Sequence, residues 1–65
     1  MTEELDVVAL TRPFPEYGLP SGESGTVVDL SPDGKWFMVE FITTDGQTIA
    51  LEDFEADAIR LIWRA

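Results

Sequence analysis

The stretch Gly25-Thr26-Val27-Val28-Asp29-Leu30-Ser31-Pro32-Asp33-Gly34-Lys35-Trp36-Phe37-Met38-Val39-Glu40-Phe41 reads as one β-hairpin. Two runs rich in Val, Phe and Trp suit a pleated, half-buried surface, and between them lies a Ser-Pro-Asp-Gly turn in which Pro presets φ and Gly accepts a positive φ. Side chains alternate along a strand, so Phe37, Val39 and Phe41 fall on one face while Trp36, Met38, Glu40 and Ile42 fall on the other. The Phe-Val-Phe face is the predicted core.

Upstream, Leu5-Asp6-Val7-Val8-Ala9-Leu10 is a compact apolar run with β-branched residues in its middle, too short for a good helix and predicted as the first strand. Residues 11–22 follow with three prolines and two glycines, a composition that predicts a long stiffened loop without regular structure, anchored by Phe14, Tyr17 and Leu19. Gly25 is placed where a bulge or a close backbone approach starts the second strand. Downstream, Thr43-Thr44-Asp45-Gly46-Gln47 repeats the Asp-Gly signal and predicts a second hairpin into Thr48-Ile49-Ala50-Leu51. Residues 52–58 leave room for one 3₁₀ or α turn with Asp53 as its N-cap. Ile59-Arg60-Leu61-Ile62-Trp63-Arg64 closes the chain as a fifth strand, with Ile59, Leu61 and Trp63 on one face. The predicted fold is all-β: residues 1–65 as a single domain, a five-stranded SH3-like barrel with one short turn before the last strand. An open five-stranded meander packed on a partner is the alternative.

Composition bounds the function. A chain of 65 residues buries only about 60% of its unfolded surface, so its core is small. It has no Cys and no His, which excludes Ser-His and Cys-His nucleophile pairs, thiolate metal sites and disulfides. Neither enzymatic activity nor a cofactor is expected. The carboxylates Glu52, Asp53, Glu55 and Asp57 cluster in sequence but lack the alternation and central Gly of a calcium loop, and they read as a solvated acidic turn. The start of the chain is acidic and no long apolar run follows, so neither a signal peptide nor a membrane helix is expected, and the cytoplasm is the expected compartment.

Thirteen acidic residues against four basic ones give a formal net charge of −9. Such a surface repels phosphate backbones and anionic membranes, and favours either simple solubility or a cationic partner.

Leu5-Asp6-Val7-Val8-Ala9-Leu10-Thr11, the Pro15-Glu16-Tyr17-Gly18-Leu19 loop, Gly22-x-x-Gly25-Thr26-Val27-Val28, and Val39-Glu40-Phe41 with Asp45-Gly46 resemble, as an ordered set, the small bacterial family called domain of unknown function 4926. The resemblance implies a stand-alone SH3-like barrel in a bacterium and carries no catalytic or binding residues. The end Ile62-Trp63-Arg64-Ala65 is less typical of that family.

Protein binding is the function that survives these exclusions. Trp36, Met38 and Ile42 lie opposite the core stripe beside Glu40, and Tyr17 in the long loop is expected to extend the same surface; Trp, Tyr and Met are interface anchors. The predicted role is a small acidic adaptor, inhibitor or antitoxin-like protein docking an unidentified, basic protein, with self-association through a strand edge as a variant. The apolar stripe reads equally as cover for the barrel end. A second functional class is a nucleic-acid-associated or DNA-mimicking barrel, in which Arg12, Lys35, Arg60 and Arg64 would have to converge on one face for direct binding.

Overall fold

A computed structural model describes residues 2–42 and 45–65. Five strands, β1 (Val7–Leu10), β2 (Ser24–Leu30), β3 (Trp36–Ile42), β4 (Thr48–Glu55) and β5 (Ile59–Trp63), form one antiparallel sheet in the order β4-β3-β2-β1-β5. The all-β prediction and the chain order of its five strands hold. Strands β4 and β5 stand at the two ends of the sheet, linked by the 3₁₀ turn Ala56–Ala58.

The core forms on one face of that sheet. Val8 and Leu10 from β1, Val27 from β2, Phe37, Val39 and Phe41 from β3, Phe54 from β4, and Ala58 and Ile59 from the last turn and β5 make one buried cluster. Residues from both ends of the sheet share it, so the sheet wraps round. The predicted Phe-Val-Phe stripe is its centre, with Val39 and Phe41 fully buried.

The turn that aims β3 is a Ser31–Gly34 β-turn closed by the Gly34 N–H on the Ser31 carbonyl at 3.0 Å, with Gly34 at φ 72° as a left-handed residue. Ser31 Oγ donates to Asp33 Oδ1 at 2.6 Å and accepts the N–H groups of Lys35 and Trp36 at 3.2 and 3.1 Å. Asp33 also accepts the Lys35 N–H, and its carboxyl is held below the ordinary value, first by Ser31 and then by Lys35. Thr43 and Thr44, predicted in the second turn, lie outside the described residues.

Three departures have physical causes. Residues 11–22 are not without regular structure: Pro15–Tyr17 form a 3₁₀ turn, Pro standing where its missing N–H is harmless, and Phe14 pairs with Leu19 in a short bridge. Strand β4 runs on to Glu55, so Asp53 is a strand residue and not a cap, and the turn before β5 is only Ala56–Ala58 with no side-chain cap. Placing Phe54 opposite Phe37 in the core prolongs the ladder past the weak helix preference of residues 52–58. Strand β1 starts at Val7, because Leu5 sits at φ 73° in a turn closed by the Asp6 N–H on the Glu3 carbonyl.

That turn buries Asp6, 1% exposed, whose two oxygens accept the N–H of Glu3 at 2.9 Å and of Ala65 at 2.8 Å. One carboxylate thus ties Glu3, ahead of β1, to Ala65, two residues past β5. The Ala65 and then the Glu3 N–H hold its pKa below the ordinary 3.8, against the opposing effect of burial.

Gly25 faces inward on β2, and a Cβ there would lie 2.7 Å from Val39 Cγ1 and 2.8 Å from the Glu40 carbonyl oxygen. Backbone cannot yield as a flexible side chain does. Gly25→Ala is expected to destabilise the domain by about 1–3 kcal/mol, read as a lower urea midpoint at unchanged slope; a wild-type midpoint contradicts the close approach.

Because the Asp6 pKa is depressed in the folded state, the stabilisation from its ionised form is complete above pH 3.8 and is lost as pH falls through the lower folded value. Stability should fall in that acid range for the wild type, and Asp6→Asn, less stable at neutral pH, should flatten that part of the curve. An unchanged acid slope in the variant would exclude Asp6 as its source.

Candidate functional site

Strand registers decide what faces outward. Along β3 and β4 the directly opposed pairs are Trp36 with Glu55, Met38 with Asp53, and Glu40 with Leu51, all on the face away from the core. On the other side of β3, Val27 opposes Val39 but Asp29 opposes Met38, so β2 carries one extra residue, Val28, in a bulge. Without the bulge, strict alternation from Val27 would drive Asp29 into the core; with it, Asp29 goes out and Leu30 turns in opposite Phe37.

The result is a row across three strands, Asp29, Met38 and Asp53, with Trp36 in the next row on β3. Together with Leu30, Ser31 and Pro32 they line an open groove of about 270 Å³. Its apolar part is Trp36, 46% exposed, the half-buried Met38, and Pro32; its charged part is Asp29 and Asp53. Among the described residues no ion pair engages either carboxylate.

The four residues singled out from sequence do not form one site. Trp36 and Met38 line the groove. Ile42 is on the same strand face but about 20 Å from Trp36 along β3, and its exposed neighbours are Ile49 and Leu51 on β4, each about half exposed. Glu40, which accepts the Thr48 hydroxyl at 3.0 Å, separates the two apolar groups. Tyr17 does not join this face: its ring meets Phe54 edge-on at 5.9 Å and stacks with Phe14 at 6.1 Å, on the core side of the sheet. The loop aromatics therefore cover the core, with Phe14 packed edge-on against Phe54 at 4.9 Å.

Asp29, Leu51 and Ile49 are outward residues that the sequence pattern did not single out, and Asp53, expected as a cap in a solvated acidic turn, joins them on β4. Phe54 held the signal for β4, since a core aromatic there forces Ala50 and Glu52 inward and Ile49, Leu51 and Asp53 outward. The bulge at Val28 left no such trace.

The basic residues are dispersed. Arg12 sits over the Phe14 ring at 5.2 Å and pairs with Asp57 at 3.8 Å; Lys35 lies in the β2–β3 turn; Arg60 is on β5, three strands from β3, and Arg64 follows that strand. The acidic residues 52–57 are divided as well, Asp53 and Glu55 outward, Glu52 inward and Asp57 in the 3₁₀ turn beside Arg12. Among the described residues no helix is long and apolar enough to cross a membrane.

The family model described as a domain of unknown function, DUF4926, matches residues 4–61, nearly the whole chain. The match ends before Ile62, Trp63 and Arg64. No curated protein and no solved structure matches.

If Trp36 is a surface residue rather than structural cover, Trp36→Ala should change unfolding free energy by less than about 1 kcal/mol, whereas Phe54→Ala should cost about 3–5 kcal/mol. Parallel urea titrations check both, and a Trp36→Ala loss comparable to that of Phe54→Ala would make the indole part of the core.

Proposed function

The chain belongs to the DUF4926 family, and from that premise we propose that it is a protein-binding module that docks a basic partner on the outer face of β3 and β4, with Trp36 and Met38 as anchors. The observation that carries this reading is the groove itself: a half-exposed indole beside Met38 and Pro32, bordered by carboxylates on the two neighbouring strands. Trp and Met are enriched where interfaces bury surface, and they are held here by the ladder and by the Ser31 hydrogen bonds rather than by a mobile loop. A net charge of −9 favours encounter with a cationic surface, an effect on association rate more than on the lifetime of the complex.

The separation of Arg12, Lys35, Arg60 and Arg64 lends no support to direct nucleic-acid binding, which draws its affinity from several cations facing one backbone. Ile42, Ile49 and Leu51 extend the apolar surface beyond Glu40 and would enlarge the footprint of a protein partner.

Affinity capture from a lysate of the native host tests the role, comparing wild type with a folded Trp36→Ala/Met38→Ala variant. One protein held by the wild type and lost with the variant is the expected result. Equal recovery by both would remove the groove from the interface.

A further inference from the structure

The groove specifies the chemistry of what enters it. It is open and of about 270 Å³, room for a single protruding side chain. Asp29 and Asp53 oppose Met38 from either side, two inter-strand spacings or about 10 Å apart at the backbone. That spacing lets carboxylates approach an extended cation from both sides, Asp29 with the capacity left after its Oδ1 accepts the Leu30 N–H at 2.9 Å. Between them lie the thioether of Met38 and, one row on, the indole of Trp36.

Resting on the docking role above, we infer that the groove receives an arginine side chain of the partner, its guanidinium against the Trp36 indole, its methylenes along Met38, and its N–H groups donating to Asp29 and Asp53. Three properties select arginine. Trp offers the strongest cation–π face, the guanidinium is planar and weakly hydrated so that it stacks where an ammonium does not, and its several donors serve two carboxylates at once. The domain already uses this combination on itself: Arg12 lies over the Phe14 ring at 5.2 Å and pairs with Asp57 at 3.8 Å. At the groove the ring and the carboxylates are present and, among the described residues, no cation of the chain is paired with them.

The test uses Trp63→Phe protein, in which Trp36 is the only indole, and two probes, acetyl-Gly-Arg-Gly-amide and its Lys counterpart. Trp36 emission should change saturably with the Arg peptide in the millimolar range, and about tenfold more weakly with the Lys peptide. Asp29→Asn/Asp53→Asn, a surface change that preserves shape, should lower Arg-peptide affinity by a similar factor, and added salt should weaken the wild-type response. Equal response to both peptides, no saturable response, or an affinity unmoved in the Asn variant overturns the assignment. A partner captured through Trp36 and Met38 but not displaced by the Arg peptide would leave the docking role standing and the arginine assignment refuted.

Discussion

The ring of Phe54 is the contact on which the rest of the fold depends. It sits at the end of β4 opposite Phe37 and meets Phe14, Tyr17 and Phe41 edge-on within 4.9 to 5.9 Å. Each such pair contributes about 0.5–1.5 kcal/mol beyond burial, a large share of what a domain this size can gather. One ring thereby joins the long loop to the sheet, prolongs β4 to the last turn, and fixes which β4 side chains face water. The outer groove is a consequence of that inner contact, because burying Phe54 puts Asp53 on the other side.

Alternation made the central hairpin legible, and bulges hid much of the remainder. Phe37, Val39 and Phe41 occupy the core because period two runs unbroken along β3. On β2 the extra residue Val28 reverses the parity of everything after it, and it is this reversal that delivers Asp29 to the groove. On β5, Val8 opposes Leu61 while Val7 opposes Trp63, so Ile62 is the extra residue and Trp63 leaves the face it would share with Ile59 and Leu61. A bulge replaces one ladder geometry by another with no distinctive residue type, so pattern alone does not announce it.

The burial of Asp6 and the turn of Tyr17 away from the Trp36 face have a different reason. Asp6 sits within an apolar run, where only the tertiary arrangement supplies the N–H groups of Glu3 and Ala65 that make a buried carboxylate tolerable. Tyr17 is an aromatic in a loop, and a loop aromatic points to a partner or to the core according to which is nearer; here Phe54 is in reach. The Trp36 and Met38 placement was legible because both lie on the strand that obeys strict alternation.

The acidity of the chain acts on two kinds of contact in opposite ways. Strand β4 is an edge with Ile49 and Leu51 half exposed, the sort of strand that pairs with its own copies. Asp53 and Glu55 continue the same outward row, and a second copy would bring its own negative charge against them, within a molecule already at −9. Self-pairing along that edge is therefore opposed by the charges that would attract a cationic segment. Both effects weaken together as salt screens exposed carboxylates, but the apolar contribution of Trp36, Met38 and Leu51 does not. Raising ionic strength thus weakens the charge contribution of this surface, leaves the apolar one, and lowers the barrier between copies.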